Sequence, residues 1–300
     1  MVKMKLLKSC TLCPRNCGID RSKAVGFCGA GDKIKAARAA LHFWEEPCIS
    51  GTAGSGTVFF SGCNLACRYC QNYDISIGGF GKEITVERLG EIFLELQAMG
   101  AHNINLVTPT PYLPQIKAAI DLVRDKIKIP FIANTGGYEK PETIKALKGY
   151  IDIFLTDLKY KSSEISKNYS KAADYFEFAA RALEEMLAIC DSPRLDANGI
   201  MQSGVIVRHL VLPGCRRDSI EILQYLADEF GTESFILSLM SQYTPNGHLE
   251  DLPQINRPTT SFEYNSVINA ALELGFDNAY MQEKSSAKAE YTPMFDLTGI

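Results

Sequence analysis

From residue 56 onward, short runs rich in β-branched and aromatic residues alternate with stretches whose apolar positions recur every three or four residues, with a repeat of ~25–35 residues. TVFFSG (57–62), NINLVTPT (103–110), PFIANTGG (130–137), IDIFLTDLKY (151–160), GVIVRHLVLPG (204–214) and SFILSLMSQYTP (234–245) read as strands. They are nearly continuous apolar runs, as parallel strands covered on both faces require. Helices are expected over 84–100, with Thr85 as N-cap and Gly100 as stop, and from Pro111 and Pro114 to about residue 126. Further helices are expected over 141–147, 173–189, 218–230 with Asp218 as cap, and 260–274. Six strand–helix units joined by right-handed crossovers predict an α/β fold, a partial (β/α)6 TIM-like barrel.

Polar residues gather where these strands end: Thr108 and Thr110, Asn134 and Thr135, Asp157 and Lys159, Arg208 and His209, Gln242 and Tyr243. In parallel α/β folds that rim is where ligands bind. The small, glycine-rich SGTAGSG predicts a boundary near residue 50. The expected parts are a cysteine-rich N-terminal segment (1–50), the barrel (51–282) and a polar tail (283–300).

With 46% hydrophobic and 22% charged residues, the chain has ample material for a core. A net charge of −4 is mild and argues against nucleic acid or an anionic membrane as partner. No apolar run has the length of a membrane span, and no signal peptide is legible, so a cytoplasmic location is expected. In that compartment thiols stay reduced, so the ten cysteines are read as ligands or catalytic groups before disulfides. Cys10, Cys13, Cys17 and Cys28 form one group, and Cys63, Cys67 and Cys70 a second. Cys48, Cys190 and Cys215 stand apart and are expected to be small buried hydrophobes.

The second group, GCNLACRYCQN, follows the first strand and sits on the same rim. Three thiolates are one short of a closed zinc site, and the neighbourhood offers only Asn64, Asn72, Tyr73 and Asp74. On a [4Fe–4S] cube, three thiolates leave one iron open to a small molecule. The spacing C-x3-C-x-aromatic-C after a strand resembles the signature of the radical S-adenosylmethionine (SAM) superfamily. That resemblance implies that the open iron chelates SAM, and that an electron from the cluster cleaves it to methionine and a 5′-deoxyadenosyl radical.

Together with NTGGYE, DIFLTDLKY, VRHLVLPG and LSLMSQYTP, the chain is similar to uncharacterised relatives of pyruvate formate-lyase activating enzyme, over most of residues 40–282. Thr108 and Thr110 stand where that family has Gly-Gly-Glu facing the SAM amino group, and Asn134, Thr135 and Gly136 where it has Asp-Thr-Asn-Gly. Asp157 and Lys159 match its Asp-Leu-Lys, Arg208 its Arg-Tyr-Val-Val-Pro-Gly, and Gln242 with Tyr243 a histidine near the adenosine. By this resemblance Lys159 and Arg208 neutralise the SAM carboxylate, Asp157 holds the ammonium, the ribose or a monovalent cation, and Tyr69 meets the adenine. It further implies an electron donor such as flavodoxin or ferredoxin, and a glycyl-radical enzyme as substrate. Modification of a small molecule or peptide is the alternative, and a non-catalytic Fe–S or zinc protein a third.

The N-terminal pattern C-x2-C-x3-C-x10-C, with Pro14, Gly18, Gly26 and Gly29 between the thiols, reads as a self-contained knuckle and a second metal site. A zinc staple, an auxiliary Fe–S cluster and four unligated thiols all fit that spacing. His42 stands beside Glu45 and Glu46 as an acid–base pair or a packed strand-end histidine. The sequence points to no catalytic residue beyond the cofactor.

Overall fold

The structure is a computed structural model that describes residues 5–282 and 293–300; part of the expected tail, 283–292, lies outside them. The strands are β1 (Ile34–His42), β2 (Ser55–Phe60), β3 (Lys82–Ile84), β4 (Ile104–Val107), β5 (Phe131–Thr135), β6 (Ile153–Asp157), β7 (Arg194–Leu195), β8 (Met201–Leu210), β9 (Ile236–Met240) and β10 (Tyr280–Met281). The helices are α1 (Lys5–Lys8), α2 (Pro47–Ser50), α3 (Tyr73–Ser76), α4 (Val86–Ala98), α5 (Leu113–Val123), α6 (Pro141–Lys145), α7 (Ser163–Ser170), α8 (Tyr175–Ile189), α9 (Arg216–Phe230) and α10 (Ser261–Glu273). Among the described residues no helix is long and apolar enough to cross a membrane.

The sheet runs β10-β9-β8-β6-β5-β4-β2-β1-β3. Its centre, β2-β4-β5-β6-β8-β9, is parallel throughout and in chain order, which is the predicted six-unit partial barrel, open at its sides. The helices form for local reasons. The Thr85 side chain accepts from Arg88 N–H to cap α4, while Leu89, Ile92, Phe93 and Leu96 bury one stripe. Thr260 and Glu263 close a reciprocal capping box on α10.

Alternation decides what each strand contributes. Phe131, Ala133, Phe154, Val205, Val207, Leu237 and Leu239 point outward under the helices and belong to the main core. Ile132, Ile153, Leu155, Ile206 and Ile236 point inward and pack in a second cluster with Cys48 and Ile49. Helix α2 therefore plugs the half-barrel, held by Asn103 Nδ2 donating to the Ile49 carbonyl at 2.8 Å. Each large apolar side chain buried this way contributes ~1.5–3 kcal/mol.

Several expectations change. The sheet crosses the boundary expected near residue 50, because β1 pairs antiparallel with β2 from Ala36↔Phe60 to His42↔Ser55. The described end of the tail lies on the same edge: Leu297 N–H donates to Ala37 O, Ala39 N–H to Thr298 O, and Arg38 pairs with Asp296 at 2.7 Å. Asp218 is not the cap of α9. That position is Cys215, and the Asp218 carboxylate accepts from the N–H groups of Lys161 and Ser162, pinning the loop after β6. Cys48, Cys190 and Cys215 are buried, as expected of small hydrophobes.

Candidate active site

Strand β2 hands the chain to the three-cysteine loop through Gly62, whose φ of +89° and close approach to the Cys28 carbonyl leave no room for a Cβ. Cys63 N–H donates to that same carbonyl at 3.1 Å. Cys63, Cys67 and Cys70 then line a cavity of about 230 Å³ above the parallel strand ends. Each sulfur receives a donor: Leu65 N–H to Cys63 at 3.4 Å, Ser170 Oγ to Cys67 at 3.0 Å, and Ser76 Oγ to Cys70 at 3.2 Å. Burial, then the neighbouring thiols, push Cys63 well above the ordinary thiol value, and burial and Cys67 push Cys70 up to about 11. Three thiols from one loop lining one cavity fit a metal cluster that takes thiolates directly.

The same cavity is lined by Tyr69, Thr108, Asn134, Thr135, Asp157, Lys159, Arg208 and Gln242. Asp157 and Arg208 face each other in register on β6 and β8, and Arg208 Nε meets Asp157 Oδ1 at 3.0 Å. Lys159 Nζ lies 2.6 Å from Asp157 Oδ2. Burial alone would raise the Asp157 pKa, but Lys159 and Arg208 outweigh it and hold the carboxyl below its ordinary value. Burial opposes the charge on Lys159 and Arg208 too, yet Asp157 keeps both above their ordinary values.

Glu45 completes the wall and was not singled out from the sequence as a cofactor residue. Its carboxylate takes Arg208 Nη1 at 3.2 Å, Asn105 Nδ2 at 3.0 Å and Asn134 Nδ2 at 3.3 Å, while Arg208 Nη2 reaches Asn134 Oδ1 at 2.6 Å. It stands there because the segment ahead of α2 enters the barrel, a long-range placement with no local signal. The guanidinium is thus shared among Asp157, Glu45 and Asn134.

Thr110 is placed differently from the expectation. It opens a 3-10 turn (Thr110–Tyr112) behind the cavity wall, and its hydroxyl donates to Glu139 Oε1 at 2.9 Å, so it is not in the lining. Glu139 is itself buried, and that burial pushes it up to about 7. Thr108 lines the cavity at φ +57°, a left-handed conformation that is an outlier for a β-branched residue. The Tyr69 hydroxyl is held by Tyr160 (2.5 Å) and starts a chain through Ser170 (2.7 Å) to Cys67. Tyr243 is outside the lining and packs its ring edge on Tyr69, 5.9 Å between centroids. His42 lines the cavity, edge-on to Phe59, and burial, then Arg38, lower it to about 4.

The N-terminal thiols lie close to one another. A Cβ on Gly26 would sit 3.5 Å from Cys17 Sγ and 3.6 Å from Cys28 Sγ, and Cys13 is pushed up to about 12 by burial, with Cys28, Cys10 and Cys17 adding to it. Arg21, 2% exposed, donates to Ala30 O and Pro111 O and leaves Nη2 without a partner; burial raises the Cys28 thiol above its ordinary value, and Arg21 offsets part of that rise. A buried guanidinium with one nitrogen free beside Cys28 fits an anionic centre. Among the described residues no three His, Cys, Asp or Glu side chains converge as a single-ion site would require.

Comparison with known proteins gives three findings. Residues 57–193 match the radical SAM superfamily. Two uncharacterized proteins of Methanocaldococcus jannaschii are similar over nearly the whole chain. One is 30% identical over 288 residues, covering 93% of this chain and 79% of the relative; the other is 24% identical over 304 residues, covering 94% and 83%. Among solved structures, Streptococcus suis SuiB bound to the precursor peptide SuiA aligns with 74% of this chain and 46% of its own, at 15% identity and a TM-score of 0.44. SuiB bound to S-adenosylmethionine aligns with 74% and 48%, at 13% identity and a TM-score of 0.47. The chain spans about half the length of SuiB.

Proposed function

The chain belongs to the radical SAM superfamily, and we propose that Cys63, Cys67 and Cys70 carry a [4Fe–4S] cluster at which it binds and reductively cleaves S-adenosylmethionine. The observation that carries this reading is the meeting of three thiols from one loop with the Asp157–Lys159–Arg208 wall across one cavity. When bound, the cluster and SAM supply the 5′-deoxyadenosyl radical that abstracts hydrogen from the substrate.

The protein's own groups bind and orient. Lys159 spends one ammonium hydrogen on Asp157 and presents the others to the SAM carboxylate. Asp157 offers its carboxylate to the SAM ammonium. Arg208, spread over Asp157, Glu45 and Asn134, acts mainly by fixing that carboxylate. Tyr69 and Gln242 wall the adenosine side. Substrate approaches past His42, Phe59, Pro293 and Trp44, which is 59% exposed at the mouth. An extended protein segment suits such an aromatic mouth, which favours a glycyl-radical partner or a peptide. The electron comes from a low-potential carrier of the flavodoxin or ferredoxin class.

Cys10, Cys13, Cys17 and Cys28 hold an auxiliary iron–sulfur cluster, a reading supported by their mutual proximity and by the unpartnered Arg21 nitrogen. Iron and sulfide counting with electron paramagnetic resonance (EPR) tests both centres. The wild type should hold two clusters, and SAM should alter one EPR signal. The Cys63/Cys67/Cys70→Ala protein should lose the SAM-responsive signal and keep the other. The Cys10/Cys13/Cys17/Cys28→Ser protein should do the reverse. A SAM response that survives the alanine substitutions would end the first assignment; unchanged iron in the serine protein would end the second.

A further inference from the structure

Arg15 lies between Cys13 and Cys17 in the N-terminal knuckle, yet its guanidinium is spent on the other cysteine loop. Nε donates to the carbonyl of Asn64, the residue after Cys63, at 2.9 Å. Nη2 donates to the carbonyl of Ser170 at 3.2 Å, and Nη1 to that of Lys171. These two carbonyls close the C-terminal end of α7, where a cation is favoured and orphan acceptors need donors. The same helix end grips the SAM-side loop directly: Arg68 N–H donates to Tyr169 O at 2.8 Å, and the Ser170 hydroxyl donates to Cys67 Sγ at 3.0 Å. The guanidinium is held over the Phe27 ring at 3.9 Å and over Tyr138 at 5.1 Å, so knuckle and barrel both fix its plane. A second link, the Cys28 carbonyl accepting from Cys63 N–H, joins the two thiol sets through a single backbone hydrogen bond. Lys140 to Asn16 Oδ1, and Thr143 Oγ1 to Leu12 O at 2.8 Å, fasten the rest of the knuckle to the loop and helix after β5.

We propose that Arg15 is a positioning residue through which the folded state of the four-thiol knuckle sets the geometry of the SAM-binding cysteine loop. With the knuckle closed, Arg15 ties Asn64 and the end of α7 into one frame, and Cys63 and Cys67 are held at the spacing the cavity needs. With the knuckle open, the fork leaves three carbonyls, and the loop loses its outer wall while every residue in the SAM cavity is still present. SAM binding is thereby conditional on a site that does not touch SAM, a coupling between two sites in which each biases the other. The physical warrant is the shared element, the α7 end with its bonds to both sides, rather than proximity.

This inference rests on the SAM site proposed above, and the test separates the two. Full-length protein is reconstituted anaerobically; SAM affinity is measured by equilibrium dialysis, and the cluster signals by EPR, for wild type, Arg15→Ala, Arg15→Lys, Cys13→Ser and the Arg15→Ala/Cys13→Ser double variant. Arg15→Ala should keep the wild-type iron content, shift the SAM-responsive EPR signal and weaken SAM binding by about tenfold or more, the scale of one lost charged hydrogen bond. Arg15→Lys keeps the charge without the fork, and should fall between Arg15→Ala and wild type. Cys13→Ser should weaken SAM binding similarly, and the double variant no further than the stronger single one. Unchanged affinity and EPR signal in Arg15→Ala overturn the proposal. So does a double variant whose losses multiply, because the knuckle then does not act through Arg15. Should Arg15→Ala fail to fold, Arg15→Lys decides on the same readouts. Failure of wild type to bind SAM at all overturns the underlying function instead.

Discussion

Replacing Arg208 with lysine keeps the charge and removes the fork, and the structure sets what that costs. Arg208 is 14% exposed and spreads its donors over Asp157 Oδ1 (3.0 Å), Glu45 Oε2 (3.2 Å) and Asn134 Oδ1 (2.6 Å). An ammonium carries three donors on a single nitrogen and cannot span acceptors on β6, on β5 and in the segment before the plug, so at least one of the three is left without its partner. Charged hydrogen bonds contribute ~1.5–3 kcal/mol each. Arg208→Lys should therefore destabilise the protein by about 2–4 kcal/mol, and Arg208→Ala, which strips a buried ion-pair network of one of its two cations, by about 3–5 kcal/mol. Urea unfolding at constant m reads this as a lower midpoint. Because Asp157 is freed to move, SAM affinity should fall by about tenfold in both variants while the cluster absorption remains. A midpoint for Arg208→Lys within ~0.5 kcal/mol of wild type, with SAM affinity intact, would refute the argument that the fork organises the wall.

Gly62→Ala should cost about 1–3 kcal/mol or more, since it adds a Cβ against the Cys28 carbonyl at a φ of +89°, and iron loading should fall with it; full iron content and an unchanged urea midpoint would show that the turn tolerates a side chain. His209 is 1% exposed, bonded to Leu158 O at 2.7 Å and to Ser219 Oγ at 2.8 Å, and burial lowers it to about 4. The unfolded chain then binds the extra proton between about pH 6.5 and 4, so stability is complete above 6.5 and is lost as the pH falls through that window, by an order of 3 kcal/mol. His209→Gln should flatten that part of the stability–pH curve; a curve with the wild-type slope would exclude His209 as its source. Thr110→Val removes the hydroxyl that reaches Glu139 without touching the cavity, so it should lower stability by about 1–3 kcal/mol with SAM affinity unchanged; a selective loss of SAM binding would return Thr110 to the site.

The parallel half-barrel was legible because its signals are local. Apolar runs ending in polar pairs marked β4, β5, β6, β8 and β9, and Thr85 marked the start of α4. The three-cysteine loop and eight of the nine proposed cofactor residues share one cavity for the same reason: each ends a strand or follows one. What escaped depends on distant partners. IKAARAALH carries four alanines, poor strand formers, and becomes β1 by pairing with β2. SEISKNYS is too polar to announce a helix, yet α7 buries Ser166, Tyr169 and Ser170 against the cysteine loop. Glu45 gains its role only because the plug carries it to Arg208, and Asp218 resembles a cap in sequence while serving another segment's backbone. Arg15 lies inside the knuckle, and its partners, 49 and more residues away, leave no local signal.

The central claim, that the three-cysteine loop and the charged wall form one SAM-cleaving site, is tested most directly by product formation. Anaerobically reconstituted protein is reduced with dithionite in the presence of SAM, and 5′-deoxyadenosine is quantified by chromatography and mass spectrometry. Wild type should form it, Cys67→Ala should not, and Lys159→Ala should form it far more slowly at sub-saturating SAM with its cluster intact. 5′-Deoxyadenosine formed at the wild-type rate by Cys67→Ala, or none from wild type with a reduced, SAM-bound cluster, would contradict the account.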